Sequence, residues 1–252
     1  MNKKVTKNNQ YGSPNVKFHT VCVDNFFTNP DLIREYALKL RYNTPLDGRY
    51  PGKRTQCLSE INKPLYNLIM AKIFSIYYPV NNYEISFKNA GIYFQKVKAF
   101  SEDKTSLKNT GWIHPDVDCV IAGLVYLTPN YNPEAGTSLY NLKEEYKNIH
   151  DDDDEQVEKH TFYLNKKISD EDYINAMLEV NKRFEIKTIF KNIYNRLIMY
   201  SGSEYHKADN FYDNDKERLT MVYFINELTV NKAPIDVIKG KIDEGIESEI
   251  RE

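Results

Sequence analysis

The chain has 252 residues, 41% hydrophobic and 28% charged, with a formal net charge of −2. That length suits a single β-sandwich or barrel with helical additions, and a chain this long buries roughly three-quarters of its unfolded surface without disulfide or metal staples. The near-neutral balance supplies no overall field for nucleic acid or an anionic membrane, so those partner classes are not expected.

The N-terminal residues 1–15 are basic but no apolar core follows them, so they read as a loose tail rather than a signal peptide. Residues 16–25, VKFHTVCVDN, alternate as a strand does. A helix is predicted over TNPDLIREYALKLRY. Asn29 is its cap, Pro30 its first position, and Leu32, Ile33, Tyr36, Ala37 and Leu40 its apolar face. The turn-rich stretch 42–55 is predicted as a surface loop. LSEINKPLYNLIMAKIFSIYY is read as one further helix, its start blunted by Pro64.

From Phe87 the aromatic and β-branched content rises, and five strands are predicted: SFKNAGIYFQKVKAF, VDCVIAGLVYLTP, GTSLYNL, YNRLIMYSG and RLTMVYFINEL. The apolar run Val120–Leu127 among them is far too short to span a bilayer. An insertion over about 141–190 interrupts this all-β block. Residues 141–172 carry 11 acidic against 5 basic residues, including Asp151–Glu155. Consecutive carboxylates repel and cannot all face one ion, so the run is read as a solvated loop. SDEDYINAMLEVNKRF then reads as a helix capped by Ser169, and the insertion is a candidate lid. The organisation expected is one domain over 16–230, followed by a polar, helical tail over 231–252. Cys22, Cys57 and Cys119 are odd in number and lack metal-ligand spacing, as expected of reduced thiols in a cytoplasmic protein.

The chemistry-bearing residues lie in GWIHPDVDCVIAGLVYL and in the two segments around His206 and Arg218. On a strand, residues two apart share a face, so His114 and Asp116 aim together if strand geometry begins at Trp112. Pro115 between them places the pair at a strand end or edge. His-x-Asp alone is weak, and His206 alone reads as a surface histidine. Arg218 and Thr220 share one face of the last strand with Phe224, while Leu219, Met221 and Tyr223 take the other. A cation opening an apolar strand is costly to bury unless something anionic meets it. Two imidazoles and a carboxylate suit a non-haem Fe(II) centre with open coordination positions. An arginine beside a hydroxyl suits the grip of a carboxylate.

On WIHPD, AGLVYLTP, GTSLY, YNRLIMYSGSEYH and ERLTMVYFI, the sequence resembles the 2-oxoglutarate- and Fe(II)-dependent dioxygenase superfamily, in a bacterial and phage branch similar to prolyl hydroxylases. VDNFFTNPDLIREYAL and RYPGKRT carry a weaker likeness. The resemblance covers roughly 18–228 without the acidic insertion. It implies a mainly β, α+β chain with a double-stranded β-helix, the cupin-like jelly roll. It implies His114, Asp116 and His206 as catalytic iron ligands, and Arg218 with Thr220 as the anchor of the far carboxylate of 2-oxoglutarate. The activity implied, with O2 as oxidant, is hydroxylation of a C–H bond in a peptide side chain or small molecule.

Other assignments stay open at this point. Asp118 competes with Asp116 as the carboxylate ligand, though its spacing fits the resemblance less well. Tyr93, which shares a face with Gln95, is either a hydrogen-bond partner of the cosubstrate or an aromatic packing residue. Asn195 either supports a ligand from behind or is structural. His19, His150 and His160 fall outside the pattern. A cupin-like isomerase or lyase that does not use 2-oxoglutarate, or a non-catalytic binding module, would use the same scaffold. Arg218 and Thr220 argue against the first, and the complete triad against the second.

Overall fold

In chain order the elements are β1 (Lys3–Thr6), β2 (Val21–Val23), α1 (Pro30–Leu38), β3 (Lys53–Arg54), α2 (Leu58–Ile61), α3 (Lys63–Phe74) and β4 (Ile85–Val97). There follow β5 (Ile121–Tyr126), β6 (Thr137–Leu142), α4 (Val157–Tyr163), α5 (Asp170–Asn181), β7 (Phe184–Phe190), β8 (Leu197–Ser201), β9 (Tyr205–Ala208) and β10 (Arg218–Val230). The structure is a computed structural model that describes residues 3–6, 18–78, 85–116, 119–147, 157–164, 166–230 and 250. The run Asp151–Glu155, Asp118, His150 and all of the C-terminal tail but Ile250 lie outside the described residues.

The strands form two antiparallel sheets. The larger runs β2-β8-β5-β10-β4-β3, with β1 added along β10, and the smaller runs β7-β6-β9. The segment around His114 joins the small sheet through a bridge to His206 on β9. Counting that segment, the chain visits the large sheet at β4, the small at His114, the large at β5, the small at β6 and β7, the large at β8, the small at β9 and the large at β10. Four strands of the large sheet, β8-β5-β10-β4, facing the small sheet with its added His114 segment and wound in this order are a jelly roll, a double-stranded β-helix.

Apolar alternation decides what each sheet face meets. Leu219, Met221 and Tyr223 of β10 join the cluster that α1, α2 and α3 cover, with Ala37, Leu58, Met70 and Ile73 buried against it. Each of the larger aliphatic side chains, Leu58, Met70, Ile73, Leu219 and Met221, contributes roughly 2 kcal/mol of burial. Val222 turns the other way, into a core between the sheets with Ala122, Leu124, Tyr126, Leu139, Ile198 and Tyr200. All six residues of β5 are buried because both of its faces are covered, which is why it reads as an unbroken apolar run. A third cluster seats α5 through Tyr173, Met177 and Val180 against Trp112, Ile113 and Tyr140.

Several boundaries differ from the sequence reading. Lys3–Thr6, expected in a loose tail, pairs antiparallel with Glu227–Val230 as β1. The strand expected over 16–25 is short, Val21–Val23. Leu32 is 61% exposed, one residue off the stripe of Ile33, Tyr36, Ala37 and Leu40 that faces the core. The single helix expected from Leu58 is two, because Asn62 ends α2 and its side chain accepts from Leu65 N at 3.1 Å to cap α3. Pro64 then sits in the first turn, where its missing N–H costs nothing. Within the loop 42–55, Lys53 and Arg54 pair with Lys96 and Gln95 as β3. The expected insertion ends early, since Phe184–Phe190 is β7, paired with β6. α5 keeps its predicted cap, Ser169 Oγ accepting from Asp172 N at 3.0 Å. Cys22, Cys57 and Cys119 form no disulfide. Among the described residues no helix is long and apolar enough to cross a membrane.

Candidate metal centre

Backbone register brings His114 and His206 together. His114 N donates to His206 O at 3.0 Å and His206 N to His114 O at 2.9 Å, a hydrogen-bonded antiparallel pair. Residues opposed in this way project to the same face. Leu139, directly opposite His206 on β6, lies in the core between the sheets, so that face is the interior. Asp116, two residues beyond His114, returns to the same side, held by its N–H to Gly202 O at 2.9 Å. One ligand atom from each of His114, Asp116 and His206 lies within 4.8 Å of the others. His206 Nε2 stands 3.4 Å from Asp116 Oδ2, and the two imidazole centroids are 4.6 Å apart.

The imidazoles are oriented from behind in the same manner. His114 Nδ1 lies 2.9 Å from Trp112 O, and His206 Nδ1 lies 2.9 Å from Glu204 O. A carbonyl oxygen only accepts, so each Nδ1 carries a proton, and in the neutral ring Nε2 is then the atom that ligates. Burial, reinforced by the His206 ring, pulls the His114 pKa well below its ordinary value. A neutral imidazole is the form that ligates. Trp112, whose carbonyl does the orienting, is 1% exposed and packs 5.7 Å from Tyr173 of α5. The donor set, two nitrogens and a carboxylate, fits a divalent first-row ion such as Fe(II) or Mn(II) and leaves coordination positions open.

Along the interior face, β10 carries Arg218, Thr220, Val222 and Phe224. Thr220 stands between Gln95 of β4 and Tyr126 of β5. Arg218 is 4% exposed, with its guanidinium carbon 5.3 Å from the Tyr126 ring and 5.9 Å from the Phe211 ring. Its buried Nε has no hydrogen-bond partner among the described residues. No carboxylate there forms an ion pair with it; the nearby Asp209 is turned to Ser138 Oγ at 2.8 Å. A buried guanidinium with an unused donor fits an anion that arrives from solution.

The model of one protein family, described as Family of unknown function (DUF6445), matches residues 9–225. The chain belongs to that family. No curated protein matches the sequence. Among solved structures, this DUF6445 chain is similar to a prolyl hydroxylase from Trichoplax adhaerens in complex with a hypoxia inducible factor oxygen degradation domain peptide fragment, at 12% identity over 88% of this chain and 87% of that one, TM-score 0.46. It is similar to HygX from Streptomyces hygroscopicus with nickel and 2-oxoglutarate bound, at 14% identity over 89% and 87%, TM-score 0.47. It is also similar to a Pseudomonas putida prolyl-4-hydroxylase, at 10% identity over 82% and 91%, TM-score 0.39.

Of the remaining candidates in the DUF6445 chain, Tyr93 stays on the interior face, opposite Val222 of β10 and packed against the core between the sheets, while Asn195, His19 and His160 fall elsewhere. Tyr93 packs 6.3 Å from the Phe224 ring, and burial with the nearby Cys57 thiol raises its phenol pKa. Asn195, at φ 62, is a clamp between distant segments: its Oδ1 accepts from Phe27 N and its Nδ2 donates to Phe27 O, both at 2.8 Å. His19 and His160 stand apart from the metal cluster. Sequence reading missed Tyr200, whose ring packs 4.7 Å from that of His206. It also missed Arg54 and Lys159, which lie within electrostatic reach of Asp116. Arg54 and Lys159 lie in stretches read as loop, where no periodicity marks an inward side chain, and Tyr200 lies in a predicted strand whose apolar run does not single it out.

Proposed function

We propose that the protein is an Fe(II)- and 2-oxoglutarate-dependent oxygenase that hydroxylates a C–H bond of a small molecule or a peptide side chain. The observation that carries this reading is the convergence of His114, Asp116 and His206 within 4.8 Å inside a jelly roll. The ion bound there would supply the oxidising chemistry: substrate, 2-oxoglutarate and O2 become hydroxylated substrate, succinate and CO2. His114 and His206, each ring fixed by a carbonyl, would hold it together with the Asp116 carboxylate. Arg218 meets the distal carboxylate of 2-oxoglutarate with its unused Nε–H, and Thr220 stands beside it on the same face. The apolar lining from Ala122, Leu124 and Val222 excludes bulk water from the interval between them.

Anaerobic titration with Fe(II) and 2-oxoglutarate tests the reading. The weak visible charge-transfer band of an iron-bound 2-oxo acid is expected in the wild type and not in His114→Ala. Arg218→Met is expected to weaken 2-oxoglutarate by about a hundredfold, some 3 kcal/mol, and to change metal affinity by no more than about twofold. A wild type that binds Fe(II) without the band, or an Arg218→Met protein with unaltered 2-oxoglutarate affinity, would favour a metalloenzyme that uses another cosubstrate.

A further inference from the structure

One strongly oriented cation near the metal cluster has no part in that reaction. Arg54 of β3 lies opposite Gln95, on the interior side of the large sheet. Its Nε–H donates to Gln95 Oε1 at 3.1 Å, and Gln95 is itself fixed by donating from Nε2 to Pro51 O at 2.8 Å. The guanidinium carbon stands 3.9 Å over the Tyr50 ring and 5.2 Å over the Phe224 ring. Phe224 is in register with Ala122, and Ala122 with Tyr200, whose ring touches His206. Arg54 is therefore held at the metal end of the interior, away from Arg218 at the other end of the same β10 face.

Among the described residues, Gln95 is the sole hydrogen-bond acceptor of this guanidinium, and no carboxylate forms an ion pair with it. The acidic groups that act on it are Asp116 and Asp47, and Asp47 is half-exposed and pairs with Arg49 at 3.2 Å. Lys159 of α4, 4% exposed, feels the same Asp116 carboxylate. The two covering segments are packed together. A Cβ on Gly48, at φ +71 in the loop that leads to Tyr50 and Arg54, would stand 2.2 Å from His160 O of α4. Once a divalent ion sits on Asp116, that carboxylate turns its charge to the metal. Ion, Asp116 and the chelating head of 2-oxoglutarate then sum to zero, and Arg54 faces the site with its remaining donors unmet.

We propose that Arg54, with Lys159 beside it, forms an oxyanion subsite at the mouth of the metal centre, and that the substrate is an acidic small molecule whose carboxylate or phosphate docks there while its apolar body lies against Tyr50 and Phe224. The proposal rests on the oxygenase reading and names the substrate class for it. A guanidinium pre-set by a side-chain hydrogen bond and by stacking on a ring offers its outer edge as a bidentate fork. An acid group held there fixes the distance from its neighbouring C–H to the metal.

The test uses the full chain loaded with Mn(II) and saturating 2-oxoglutarate, which binds but does not turn over. The probes are inorganic phosphate, read by 31P relaxation, and benzoate, read by 1H relaxation. Saturable paramagnetic enhancement of at least one probe is expected, and which of them responds separates phosphate from carboxylate substrates. Arg54→Gln and Lys159→Met should each weaken that probe about tenfold, and Arg54→Lys should recover part of the loss. Unchanged Mn(II) affinity shows that the variants are folded. No saturable enhancement in the wild type, or enhancement untouched in both variants, overturns the subsite. So does an Arg54→Gln protein that loses 2-oxoglutarate rather than the probe, since the arginine then serves the cosubstrate. If Mn(II) itself fails to bind in a manner abolished by His114→Ala, the oxygenase reading fails first and takes this one with it.

Discussion

At the scale of single residues, the clearest lesson is how few atoms decide a role. His114 and His206 suit the role of ligand because a backbone carbonyl two residues earlier accepts a hydrogen bond from each Nδ1–H. Asn195 shows the opposite case, a polar residue whose work is wholly architectural. It holds Phe27 through both ends of its amide, donates its own N–H to Tyr126 O at 2.8 Å, and occupies a left-handed conformation at φ 62. Asn195→Ala leaves the Phe27 backbone groups buried without partners and places a Cβ-bearing residue with no local hydrogen bond at positive φ. The expected cost is about 3 kcal/mol, measured by urea unfolding. Metal affinity should be unchanged, which separates this structural role from support of a ligand.

At the scale of elements, β2 is a three-residue strand that borrows its hold from outside itself. Asp24, just beyond it, accepts from Arg196 Nε at 2.6 Å and Nη2 at 2.9 Å. The Arg196 hydrogen bond keeps the Asp24 carboxyl below its ordinary range. A carboxyl whose folded pKa is depressed contributes stability above its unfolded pKa, and that contribution is lost as pH falls through the folded value. The Asp24 side chain is about half exposed at 52%, so solvent discounts the pair. Asp24→Asn should cost roughly 0.5–1 kcal/mol at pH 7, and the wild-type and variant unfolding curves should converge as pH drops below about 4. The segment between β6 and β7 makes a related point. α4 and α5 are attached by aromatic contacts, with Phe162 stacked 3.9 Å from Tyr173 and Phe100 5.0 Å from Phe162. Those rings seat α4 so that Lys159 comes near Asp116, and nothing in a helix-period pattern signals that destination.

At the scale of the whole molecule, the candidate metal ligands come from two segments about ninety residues apart, joined only when β9 is paired to the strand of His114. Binding at such a site belongs to the folded state, so Mn(II) at a hundred times its dissociation constant should raise unfolding free energy by about 2.7 kcal/mol. His114→Ala should show no such rise in a thermal melt taken with and without the ion. An equal rise in both proteins would place the ion elsewhere.

The amino-acid sequence by itself determined the β-rich block, the caps at Asn29 and Ser169, the two-sided burial of β5 and the division of β10 into two faces. Those features follow from local periodicity, and the jelly roll preserves it. The pair His114 and Asp116 was legible because residues two apart share a side in extended chain. His206, Arg218 and Thr220 were legible as residue types in order, through the resemblance they complete. Only the tertiary structure decided that three ligand atoms come within 4.8 Å, that Arg218 keeps a buried donor unused and that Arg54 faces the same interior. β3, β7 and β9 escaped because short or half-exposed strands carry too little alternation to be read before their partners are known. Pairing register across loops sets which side chains meet, and register is a property of the folded sheets rather than of any one stretch of chain.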